Sequence, residues 1–184
     1  MQAYLQFIMN WIYCQDPMQL AEYAVCAALV FGTLCRRFKE WRWLRHCLRA
    51  MLVCWLLAIL WITVFSRFPG GSYDAYWLPF HSYQYFLLAE FPEAFRSAFM
   101  NVLLFYPAGL LWAALSAAEQ SRRKRMIRMA LLVGLFSLSV ELTQYFFQLG
   151  TAETDDVLHN TLGTVCGFAA FYHLNPSDNH VDNE

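Results

Sequence analysis

Apolar runs of membrane length constrain this chain more than any other feature. Residues 48–65, 99–118, 129–147 and 157–174 each form a long apolar stretch, and residues 19–35 form a shorter one with Glu22 near its start. A bilayer core is crossed by about 20 apolar residues in a helix, and a helix satisfies all its own backbone groups in lipid. The expected fold class is therefore all-α, a polytopic membrane helix bundle with about five transmembrane helices. Composition agrees: 15% of residues are charged and 59% hydrophobic, where soluble domains carry about 25% charged.

The chain divides simply. Residues 1–18 are aromatic and mildly amphipathic, too short to span, and are expected at the interface. They carry no basic start or small-residue cleavage site, so they do not read as a secretory signal. Residues 19–174 form the expected bundle. Residues 175–184 are polar and acidic and are expected to be a disordered cytoplasmic tail. The six cysteines show no paired spacing and read as small apolar residues.

Charge sets the expected orientation. Of 13 Lys and Arg residues, six lie between positions 36 and 49 and five between 122 and 128, leaving Arg67 and Arg96. Basic residues mark cytoplasmic loops. Both clusters face inward if the N-terminus is outside and the C-terminus inside. The basic clusters read as a topology and lipid-headgroup signal, with no nucleic-acid partner. The aromatic connection 66–98, broken by Pro69, Pro79 and Pro92, and the turn 148–155 then lie outside.

This topology gathers the polar residues of the spans at the outer end. Asn101 is expected at the outer start of the third span. Gly134, Ser137, Glu141, Gln144 and Gln148 recur at threes and fours on the fourth. Glu141 should lie ~9 Å below the boundary, at 1.5 Å per residue. Asp156, Asn160, Gly163 and Gly167 make a similar stripe on the fifth, below Glu153 and Asp155. A polar head over small residues suits close contact with a neighbouring helix. Pro107 frees the carbonyl of Leu103 and predicts a kink, which together with Gly109 could open the outer half into a cavity. Arg67 stands just outside the second span and is expected to neutralise part of the acidic cluster or to hold an anionic ligand beside it.

These residues carry a resemblance. Asn101-Val102-Leu103-Leu104-Phe105-Tyr106-Pro107-Ala108-Gly109, Glu141-Leu142-Thr143-Gln144, and Asp155-Asp156 running into Asn160-Thr161-Leu162-Gly163 resemble the VanZ-like membrane proteins. Ser66-Arg67 and Leu78-Pro79-Phe80 are similar to that family's elements between helices. The resemblance covers roughly 60–172. It implies a bacterial envelope protein of the inner membrane, in a family whose founding member is associated with teicoplanin resistance and antibiotic resistance more widely. The family often has an Arg before the acidic turn; Gly150-Thr151-Ala152-Glu153 has none, and that residue's role is not carried over.

Two kinds of reading compete for these groups. Glu141, Asp156 and Asn160 could form a buried polar network that fixes helix register. Alternatively they form an outward-facing site, because several carboxylates at one face cost more than registry requires. Asp155 and Glu153 also suit a helix N-terminus, and His81 and His159 suit packing. The site reading gives Glu141 and Asp156 as an acid/base pair, with Arg67, His81, Asn101, Gln144, Asp155 and Asn160 as ligand-binding residues. His81, Glu141, Asp155 and Asp156 are oxygen-rich, but no spacing is tight enough to assign a metal, and no cofactor motif is present. The expected ligand is a membrane lipid, a lipid-linked cell-wall precursor or a lipophilic glycopeptide. A membrane-embedded enzyme on a lipid-linked substrate and a structural subunit of an envelope complex are the alternatives.

Overall fold

The computed structural model describes residues 42–70, 74–81, 83, 91–116 and 121–175. The expected interfacial segment, the first expected span, most of the first basic loop and residues 176–184 lie outside the described residues. The described residues form four helices: α1 (Arg42–Leu60), continued by a π-helical turn (Trp61–Phe65), α2 (Phe91–Leu115), α3 (Arg122–Phe147) and α4 (Thr154–Leu174). Three of them are long and apolar enough to cross a membrane: Trp43–Phe65, Phe95–Leu115 and Arg122–Phe147. α4, expected as a span of the same kind, is not among them. The reason is its polar inner surface: Asp155, His159, Asn160 and Thr164 are all buried within the protein, so α4 sits against its neighbours instead of presenting an apolar surface all round.

Each described helix begins before its apolar run, α1 already at Arg42 and α4 at Thr154, and the shift is largest for α2 and α3. α2 starts at Phe91 and includes Pro92 in its first turn. A proline read as a breaker is tolerated there because first-turn amides have no intrahelical acceptor. Asn101 therefore lies about 15 Å along α2, at 1.5 Å per residue, and not at its start. α3 starts at Arg122, so Arg122 to Arg128 form its first two turns and not a loop. Arginine and lysine are good helix formers, and nothing in the run breaks the helix.

α4 packs most extensively on α2, then on α3, while α1 packs on α2. Glycine makes the α2–α4 contact possible. A Cβ on Gly163 would run into the Val102 backbone, one on Gly167 into the Tyr106 carbonyl, and one on Gly109 into the Thr164 carbonyl. The two backbones interleave, as small residues allow between membrane helices. Gly109 thus serves close packing of α2 on α4. Pro107 is contained within a continuous α2. Trp55 Nε1 donates to the Leu104 carbonyl at 2.9 Å, tying α1 to α2 beside the proline.

Below this contact lies an apolar core in which Ile59, Phe105, Met129 and Phe168 are fully or almost fully buried. The outer flanks are the reverse. Leu57 on α1 and Leu131, Leu135, Phe146 and Phe147 on α3 are exposed. An apolar surface of this extent on membrane-length helices faces lipid.

The connections at one end are tied together by backbone. β1 (Ala75–Tyr76) pairs in parallel with β2 (Ala152–Glu153), with Ala75 opposite Ala152 and Tyr76 opposite Glu153. Gly70 N donates to the Gln148 carbonyl at 3.3 Å. The long aromatic connection after α1 is therefore pinned to the turn before α4.

Candidate functional site

Four elements bring polar groups to one end of the bundle: the C-terminal end of α1, the first half of α2, the C-terminal half of α3 and the start of α4. On α3, Ser137, Glu141 and Gln144 are buried in one stripe, whereas Gln148 is exposed beyond it. Spacings of four and three put them on one helical face. Gln144 Nε2 donates to the Thr63 carbonyl at 2.9 Å. Thr63 lies in the π-helical turn, where the chain leaves the helix and its carbonyl lacks an intrahelical partner.

Glu141 is 3% exposed. Its Oε2 accepts the backbone N–H of Glu153 at 3.0 Å. The carboxylate of one helix is thus anchored to the short strand that leads into another. Asp156, partly buried in the first turn of α4, accepts from Asn101 Nδ2 at 2.7 Å. Asp155 is 1% exposed and accepts the backbone N–H of Phe80 at 2.5 Å. Phe80 is held at φ 68°, a left-handed conformation uncommon for a residue with a bulky side chain. The Leu78-Pro79-Phe80 turn therefore docks directly on the acidic turn. Both acids also sit in the first turn of α4, where negative charge favours the macrodipole.

Asn160 departs from its expected partner face. Its Nδ2 donates to Ser137 Oγ on α3 at 2.8 Å. Asp156, Gly163 and Gly167 meet α2 instead. α4 is wedged between two helices, and its polar stripe is shared between them.

The Arg67 guanidinium lies against the turn at Gly150, where a Cβ would sit 2.7 Å from Nη1. It is within electrostatic reach of both Glu141 and Asp156. His81 stacks on Tyr76, with ring centroids 4.0 Å apart. Tyr76 pairs with Glu153 across the two strands, which places His81 beside that pairing. His159, read from sequence as a packing residue, is 4% exposed and shares a 3.0 Å hydrogen bond between Nε2 and the Tyr83 hydroxyl. Tyr83 was read only as part of an aromatic connection; one hydroxyl in such a stretch carries no sequence signal for a buried partner 76 residues away. Among the described residues, no group of three or more His, Cys, Asp or Glu side chains could hold a metal ion.

The three motifs thus meet as one constellation: an Asn on α2, a Glu and Gln on α3, and an acidic turn with an Asn on α4. A family model described as VanZ/LLP1 matches residues 51–175, more than half of the chain and all three motifs. The chain belongs to the VanZ/LLP1 family. No curated protein and no solved structure matches it. The VanZ/LLP1 match and the three apolar helices together make this a membrane protein of the VanZ type.

Magnitudes indicate how much of the constellation helix packing explains. Interhelical hydrogen bonds in membranes are worth ~0.6 kcal/mol on average. A charged side chain at mid-membrane costs about 2.5–3.5 kcal/mol on insertion scales, less near the interface. The Asn160–Ser137 and Gln144–Thr63 bonds already register α3 against α4 and α1. Two further carboxylates, Glu141 and Asp156, add a desolvation cost of this order, against which stand one hydrogen bond each and the nearby Arg67 guanidinium.

Proposed function

We propose that this VanZ/LLP1 protein binds or modifies an amphiphilic envelope ligand at the outer face of the bacterial inner membrane. The ligand class is a lipid, a lipid-linked cell-wall precursor or a lipoglycopeptide antibiotic. The observation that carries this reading is the convergence of Arg67, Asn101, Glu141, Gln144, Asp155, Asp156 and Asn160 from four elements at the end opposite the basic residues. The orientation is N-out and C-in, with five spans, so the basic starts of α1 and α3 face the cytoplasm. The arrangement suits a ligand with a polar headgroup and an acyl body: a charged end between connections, and exposed apolar flanks below it.

The placement of two carboxylates at one end of the bundle, Glu141 buried and Asp156 partly buried, favours a second reading, a membrane-embedded acid/base enzyme acting on a lipid-linked substrate. Two carboxylates in unlike surroundings can divide acid and base roles. One experiment tests the site and separates these readings. Cells carrying Glu141→Gln are compared with wild type and with Leu131→Ala, an exposed control on α3, at equal membrane abundance, for sensitivity to a lipoglycopeptide. The expected result is loss of the wild-type phenotype in Glu141→Gln alone. Turnover of a lipid-linked precursor by purified protein, abolished in the same variant, would select the enzyme. Full activity of Glu141→Gln would make the cluster structural.

A further inference from the structure

α1 is the least buried of the three membrane-length helices. Its inner side is taken by α2: Leu48 and Ile59 are buried, and Trp55 donates to the Leu104 carbonyl. Cys47, Ala50 and Cys54 recur at three and four residues, so they share a strip turned away from that side. All three are exposed. Elsewhere in the bundle residues of this size serve where helices meet: Ala108, Ala113, Ser137, Gly163 and Gly167 are buried. The lipid-facing side of α3 carries Leu131, Leu135 and Phe146 instead. Small residues in a membrane helix let a second backbone approach. The strip on α1 is thus a helix-contact face, and no described helix covers it.

The chain itself supplies the occupant. Residues 1–41 precede α1 outside the described residues, and six residues, 36–41, separate the apolar run 19–35 from Arg42. Fully extended, that connection reaches roughly 25 Å. A connection this short makes successive helices antiparallel neighbours. The run carries Ala24, Ala28 and Gly32 at fours, which is one strip on a helix. An antiparallel register that sets Ala28 opposite Ala50 also sets Ala24 opposite Cys54. The same register puts position 35 opposite position 43, where the connection closes. Small residues therefore face small residues at two successive turns with no slack in the connection. We infer that residues 19–35 pack as an antiparallel helix on the Cys47, Ala50 and Cys54 face of α1, with Ala24 against Cys54 and Ala28 against Ala50. A short tether holds the segment beside this face at an effective concentration on the order of millimolar, ahead of a second copy of the chain. The inference rests on the proposed crossing of the membrane by residues 19–35 and on nothing at the outer site.

Disulfide formation tests this in native membranes, on the full chain with Cys54 kept and the other five cysteines replaced by serine. Bridged cysteines need Cα atoms about 4.4–6.8 Å apart, which only a close backbone contact supplies. Under a mild oxidant, Ala24→Cys should link to Cys54 within one chain. Trypsin then releases the two peptides joined, from protein of monomer mass. Val25→Cys, turned about 100° off the strip, should not link. Ala28→Cys combined with Ala50→Cys should form a second link, and takes the place of the first pair if that variant does not insert. Absence of both links overturns the packing, and so does equal linking from position 25. A Cys54 link between two chains gives the face to a second copy and overturns it equally. Where the links are missing, Asn10→Cys separates the two possible failures. Labelling there by an impermeant reagent in intact cells leaves the crossing in place and makes the packing alone wrong. Protection there removes the crossing as well.

Discussion

Glu141 and Asp155 each hold a backbone amide from a different segment, Glu153 and Phe80 respectively. This makes charge and hydrogen bonding separable by substitution. Glu141→Gln keeps an oxygen that can accept from Glu153 N–H and removes only the charge. Its melting temperature in detergent should be unchanged or higher, because desolvating a carboxylate costs more than desolvating an amide. Glu141→Ala leaves that amide without its acceptor and should lose about 1–3 kcal/mol. Equal destabilisation by both would mean that the charge itself holds the fold. Asp155→Ala should release the Phe80 turn and with it the connection between α1 and α2. Limited proteolysis is expected to cut the variant faster between positions 70 and 90 than wild type. Unchanged cleavage there would show that the strand pairing alone keeps the connection in place.

At the scale of elements, α2 and α4 meet backbone to backbone through Gly109, Gly163 and Gly167. Overpacking a core costs about 1–3 kcal/mol where side chains can move. Here the obstacle is backbone, so Gly163→Ala should reach the upper part of that range and Gly163→Val should block assembly. Thermal unfolding in detergent checks this; a wild-type melting temperature in Gly163→Val would contradict the close contact. The spacing of Gly163 and Gly167 made the packing face readable in advance, and the threes and fours of Ser137, Glu141 and Gln144 did the same for α3. Asn160 was harder. A helix wedged between two partners divides one stripe between them, and spacing alone does not show where the division falls. The early starts of α2 and α3 were hidden because hydropathy marks where lipid contact begins, not where hydrogen bonding begins. The β1–β2 pairing was invisible for another reason: two residues per strand are too few to show a period, and their register comes from long-range docking. His159 and Tyr83 fall in the same class, since their meeting depends on that docked connection.

At the scale of the whole molecule, one end of the bundle is basic and the other gathers acids, amides and Arg67. The family match, residues 51–175, covers the acidic end and the basic start of α3, while the basic start of α1 precedes it. Whether the acidic end meets the envelope or the cytoplasm decides which ligands can reach it. The basic residues favour the envelope. The most direct test places single cysteines at Gly70 and at Lys124 in a cysteine-free background and treats intact cells with a membrane-impermeant thiol reagent. Labelling at position 70 and protection at position 124 is the expected result. Labelling at 124 with protection at 70 would put Glu141, Asp155 and Asp156 at the cytoplasmic face and contradict an envelope-ligand site.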